Sequence, residues 1–146
     1  MTVSGTVLGF DFGAKRVGVA VGETATRIAN PLGAIEGEAN DARFAAIDRY
    51  VDEWKPVAFV VGQPKHGDGS AHEVARLAAK FARRLAGRYK RDVMLVDETL
   101  TSATAEAELR GTRTRAGKKS DIDALAAAII LQSFLDQQEG HERIAS

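Results

Sequence analysis

Five carboxylates fall where an apolar run begins or ends. Asp11 closes the run TVLGFD (6–11), Asp97 and Glu98 follow DVMLV (92–96), and Asp121 and Asp123 open the apolar stretch 121–136. Taken singly, an Asp after a strand forms turns and an Asp at a helix start caps. Taken together, three such groups at one place repel one another and need a cation. The chain has no cysteine and only 3 histidines. A hard, all-oxygen donor set of this kind favours Mg²⁺ or Mn²⁺ over zinc. One or two such ions activate water and stabilise an in-line phosphoryl displacement, which is the chemistry of phosphodiester hydrolysis.

The pattern ranks the five. Asp123 shares a helical stripe with Ala127, Ile130 and Phe134, and a carboxylate on an apolar stripe needs a partner or a metal. Asp121 lies about 200° round the same helix, so it is expected to cap or to support. Asp97 and Glu98 point to opposite faces if the strand keeps its period, and the longer Glu98 is the expected metal ligand. Lys15 and Arg16, shortly after Asp11, and Lys118 and Lys119, just before the acidic helix, are candidate phosphate contacts. His66, in the loop QPKHGDGS, is a candidate proton shuttle, although a lone loop histidine is commonly only solvated. Gly62, Gly67 and Gly69 permit close backbone approach to a ligand. The loop is not a Walker motif, because no Gly-Lys-Ser/Thr follows.

Positioning these groups requires particular elements. TVLGFD and VGVAVG (17–22), joined by FGAKR, read as a hairpin. A short third strand at 27–29 should stop at Pro31. Asn40 or Asp41 is expected to cap a helix carrying Phe44, Ile47, Val51 and Trp54 on one face, ended by Pro56. VAFVVG (57–62) reads as a central strand covered on both faces. Val74, Leu77, Ala78, Phe81 and Leu85 mark a second helix, 92–96 the last strand, 102–110 a short helix, and 121–136 a buried helix. Trp54 and Phe81 are expected in the core. Residues 111–119 read as an exposed basic loop, and 137–146 as a frayed tail. The order β-β-β-α-β-α-β-α predicts one α/β domain over 1–146, with a five-stranded mixed sheet and helices on both faces. Ligands of such sheets bind beyond the carboxyl ends of the strands, where Asp11 and Glu98 would meet.

The 20 Lys+Arg balance 20 Asp+Glu, which argues at first against a nucleic-acid protein. The zero conceals a pattern. Residues 1–75 carry 7 basic and 10 acidic residues, 76–119 carry 12 and 5, and 120–146 carry 1 and 5. A basic block therefore sits beside acidic groups that a metal would neutralise, and affinity for nucleic acid should fall with salt. Neither a signal peptide nor a membrane span is expected.

LGFDFGAKRVGVAVG (8–22), VVGQPKHGDGS (60–70), VDETLTSATAEAEL (96–109) and KKSDIDALAAAIILQSFLD (118–136) together resemble the YqgF family, also called RuvX. The resemblance keeps motif order and spacing over nearly the whole chain. It implies a ribonuclease H-like fold and a metal-dependent nuclease whose acidic positions are Asp11, Glu98 and Asp123. It further implies a cytoplasmic protein that matures the 5′ end of 16S rRNA, with ribosome-associated precursor RNA as partner. Two positions depart from the family pattern. Ala14 stands where Thr or Ser is common, and Thr99 stands where Arg is usual, which alters a neighbouring side chain but removes no carboxylate. A resolvase acting on branched DNA is the nearest alternative, and would need a dimer with paired sites. A non-catalytic RNA- or ribosome-binding factor is another, disfavoured by the complete carboxylate set. A small actin-like phosphotransferase is a third, for which 146 residues leave no second domain. A monomer or weak dimer is expected.

Overall fold

The computed structural model describes residues 4–13, 15–37, 39–63, 69–97, 119–136 and 142–144. Its strands are β1 (Thr6–Phe12), β2 (Arg16–Glu23), β3 (Ile28–Glu36), β4 (Ala58–Gln63), β5 (Asp92–Asp97) and β6 (Glu142–Ile144). Its helices are α1 (Asn40–Trp54), α2 (Gly69–Tyr89) and α3 (Lys119–Asp136). The strand order is β3-β2-β1-β4-β5-β6. β1, β4 and β5 run parallel, while β2, β3 and β6 pair antiparallel to their neighbours. The expected five-stranded mixed sheet is thus present, with a three-residue strand added at the β5 edge.

Alternation along the strands sorts side chains into two cores. Phe10, Phe59, Val61 and Leu95 pack with α1 and α2 through Phe44, Ile47, Phe81 and Leu85. Val7, Ala58, Val60, Met94 and Val96 pack with α3 through Ala127, Ile130, Leu131 and Phe134. Residues 58–61 are apolar and fully buried because β4 is covered on both faces, whereas Val57 precedes the strand and is exposed. Phe81 reaches the middle of the first core, edge-on to Phe10 with ring centroids 5.7 Å apart. Trp54, expected in the core, is only partly buried and packs at its margin.

Four details depart from the sequence reading. β3 continues through Pro31 to Glu36, because it is an edge strand and its register against β2 shifts between Val19 and Ala20. An edge or bulge is where a strand tolerates proline's missing donor. α1 starts behind Ala39, which makes no side-chain cap, so neither Asn40 nor Asp41 is the N-cap. α2 begins at Gly69, inside the segment read as loop. In the tail, read as frayed, Glu142–Ile144 pairs with β5. The helix expected at 102–110 lies outside the described residues.

Candidate active site

β1 delivers Asp11 to the carboxyl edge of the parallel strands. Leu8, Phe10 and Phe12 belong to the α1/α2 core and Val7 to the α3 core, so the period of two turns Asp11 toward α3. Its register partners are Gly18 on β2 and Gly62 on β4. Neither neighbour has a side chain to cover the half-buried carboxylate.

α3 brings Asp123 to the same place by unusually close packing. A Cβ on Gly18 would lie 2.0 Å from the Asp123 carbonyl oxygen and 2.5 Å from its carbonyl carbon. The helix backbone at Asp123 therefore rests directly on Gly18, the residue paired with Asp11. The same tightness recurs down the helix, where a Cβ on Gly62 would meet Ile130 Cδ1 at 2.3 Å and one on Gly9 would meet Leu131 Cβ at 2.8 Å. Gly62, expected to admit a ligand, admits Ile130 instead, because the α3 side chains fill that face.

Arg16, the first residue of β2, closes the arrangement. Its Nε donates to Asp123 Oδ2 at 2.5 Å. That hydrogen bond, followed by the charge of Asp123, raises the guanidinium above its ordinary value. Arg16 was expected to meet phosphate; here it meets Asp123. The partner that a carboxylate on an apolar stripe requires is thus a strand residue 107 positions earlier. The sequence signalled that Asp123 needed a counter-charge but not which one.

Lys15 is exposed in the β1–β2 turn, where its carbonyl accepts from the Gly37 amide at 2.9 Å. Asp97 ends β5 opposite Gln63, Lys119 begins α3, and Asp121 lies in the first turn of that helix instead of at its cap. Glu98, His66 and Lys118 lie outside the described residues, as does Gly67. Among the described residues no three acidic or histidine side chains gather as a metal set. Asp11 and Asp123 are the two candidate acidic residues that β1 and α3 bring to either side of the Gly18 pairing.

Sequence reasoning missed Arg43. It is 3% exposed and sits on α1. Its Nε donates to the Gly37 carbonyl at 2.8 Å and its Nη2 to the Gly13 carbonyl at 2.9 Å. Its guanidinium also lies 5.4 Å from the Phe12 ring centroid. Arg43 thereby ties the end of β1 and the β3–α1 connection to one helix. Only its polarity among the buried positions Phe44 and Ile47 sets it apart in the sequence.

A mixed sheet ordered 3-2-1-4-5 with helices on both faces is a ribonuclease H-like fold. Two solved structures share this fold. T. thermophilus RuvC in complex with Holliday junction substrate superposes with a TM-score of 0.59 at 16% identity, covering 96% of this chain and 99% of that one. A second Thermus thermophilus RuvC structure gives 0.53 at 15% identity, covering 95% and 99%. The chain belongs to the RuvX family, whose model, described as Holliday junction resolvase, matches residues 5–137. Proteins named "Putative pre-16S rRNA nuclease" are similar along most of its length. That of Thiobacillus denitrificans is 54% identical over 90% of this chain and 92% of its own. That of Dechloromonas aromatica is 53% identical over 90% and 91%. No helix among the described residues is long and apolar enough to cross a membrane.

Proposed function

We propose that this protein is a divalent-metal-dependent endonuclease of the cytoplasm that hydrolyses phosphodiester bonds at the 5′ end of pre-16S rRNA, as part of ribosome biogenesis. The observation that carries the reading is the close approach of Asp123 to Gly18, the register partner of Asp11, at the carboxyl edge where three parallel strands end. The names of the similar proteins supply the substrate.

The donor chemistry fits Mg²⁺ or Mn²⁺. Asp123 rests on Gly18, the register partner of Asp11, and Asp11 has a glycine on each side. Glu98 is the proposed third ligand. It shares the parity of Met94 and Val96, which belong to the α3 core. A cation there supplies Lewis acidity and charge neutralisation at the scissile phosphate. Asp11, Glu98 and Asp123 would hold it, the cation displacing Arg16 as the counter-charge of Asp123. Lys15, Lys118 and Lys119 are proposed to contact backbone phosphates. Asp97, Asp121 and His66 are proposed to support the ligands or carry a proton.

The test is incubation of the pure protein with precursor 16S rRNA and with a four-way DNA junction, with Mg²⁺, with Mn²⁺ and with chelator. Metal-dependent cleavage of the RNA, reduced about 10²- to 10³-fold in Asp11→Asn, is the expected result. Absence of metal-dependent cleavage of either substrate would sink the nuclease reading. The family description favours a second reading, resolution of branched DNA. Junction cleavage without RNA cleavage, by a dimer, would establish it in place of the first.

A further inference from the structure

Beside the end of β1, on the face of the sheet opposite Asp11, α1 and α2 enclose a cleft of about 240 Å³. Phe12, the neighbour of Asp11, lies at its inner end with the buried Arg43, and Leu77 and Phe81 give it apolar walls. Lys80 and Arg84, one helical turn apart and both exposed, stand over it. The volume lies below the roughly 300–1,000 Å³ typical of sites for drug-sized molecules. It suits a single phosphate with its sugar.

The charges along α2 set this cleft apart. Toward the start of the helix, Arg76 is bound by Glu73 at 2.6 Å; toward its end, Arg88 is bound by Asp48 at 2.8 Å. Between them, neither Lys80 nor Arg84 forms an ion pair with any described residue. Two cations over a polar-floored, apolar-walled cleft are the elements of a phosphate subsite. The cleft also opens at the same edge of the sheet as Asp11, one residue further along β1.

We propose that this cleft binds a backbone phosphate of the substrate RNA, held between Lys80 and Arg84, so that the strand crosses the carboxyl edge of the sheet from the Asp11 face to the α1/α2 face. The proposal rests on the nuclease reading and adds a second anchoring point away from the carboxylates. It gives the basic block of the sequence a specific task, where diffuse attraction would need no cleft.

The experiment is fluorescence-anisotropy titration of a short single-stranded RNA over a series of salt concentrations, in chelator to prevent cleavage. The wild type is compared with Lys80→Gln/Arg84→Gln and with Arg49→Gln/Arg83→Gln. The second pair removes the same charge from exposed positions outside the cleft. Loss of one phosphate contact should lower the slope of log K against log salt by about 0.7 in the first variant, with little change in the second. Equal losses in the two variants, or none in either, overturn the cleft and leave the nuclease reading standing. Failure of the wild type to bind RNA overturns both. Thermal unfolding of each variant checks that these surface changes leave the fold intact.

Discussion

Replacing Gly18 by alanine adds one methyl group at the point where α3 rests on the sheet. The new Cβ would lie 2.0 Å from the Asp123 carbonyl oxygen, about 1.4 Å short of the 3.4 Å at which ordinary contact begins. The obstacle is helix backbone, which cannot rotate aside as a side chain does. Either the first turns of α3 lift or β2 bows, and both separate Asp123 from Arg16 and from Asp11. Overpacking of this kind costs roughly 1–3 kcal/mol, which lowers the melting temperature of a domain this size by several degrees. Misplacing a reacting group by about 1 Å costs on the order of 10²-fold in rate. Gly18→Ala should therefore lose about two orders of magnitude in metal-dependent cleavage of precursor RNA while remaining folded by circular dichroism. Gly87→Ala is the matched control. It lies in α2 with nothing within 4 Å of its added methyl, and alanine is favoured over glycine inside a helix by about 0.5–1 kcal/mol. It should melt higher and cleave normally. A Gly18→Ala protein with wild-type melting and wild-type activity would refute the claim that close α3 packing positions the site.

Three other outcomes are expected. Arg16→Gln releases Asp123 from its guanidinium partner, so Mn²⁺ should bind severalfold more tightly by calorimetry; unchanged or weaker binding would show that Arg16 does not compete with the cation. Arg43→Met removes two charged hydrogen bonds to the Gly13 and Gly37 carbonyls and should cost roughly 1.5–3 kcal/mol in urea unfolding. The third outcome concerns the surface triad that joins α1 to the end of α2. Arg88, and then Tyr89, hold the Asp48 carboxyl below its ordinary 3.8, so its contribution is present above that pH and fades as acid titrates the folded protein. Burial, and then Asp48, raise the Tyr89 phenol above its ordinary 10.0, so that contribution is present below pH 10.0 and fades at more alkaline pH. Asp48→Asn should flatten the acid limb of a plot of melting temperature against pH; an unaltered acid limb would assign that limb to other carboxylates.

The sheet and its helices were legible because their signals are local. VGVAVG and VAFVVG read as strands from β-branched runs, and Phe44, Ile47 and Val51 as one buried helical face. The α3 stripe from Asp123 to Phe134 was legible for the same reason. What escaped depends on partners far away in the chain. Pro31 reads as a stop until β3 is known to be an edge strand with a register shift. The pairing of Arg16 with Asp123 spans 107 positions, and no periodicity links them. Gly18 reads as one more small residue in a strand, and only the approach of α3 makes it indispensable. Arg43 drew no reading because its acceptors, two main-chain carbonyls, leave no mark in side-chain patterns.

The interrupted edge strand has a consequence for how copies of the protein can meet. An open sheet ends in a row of main-chain donors and acceptors that another chain can continue. On the β3 side that row contains Pro31, which has no donor, beside the register shift after Val19. On the other side, β6 pairs with β5. A continuous sheet running through two molecules across β3 would have to bridge a missing hydrogen bond and a local twist at its centre. The proline-interrupted edge thus guards against filament growth, and Pro31→Val would remove that guard without touching either core.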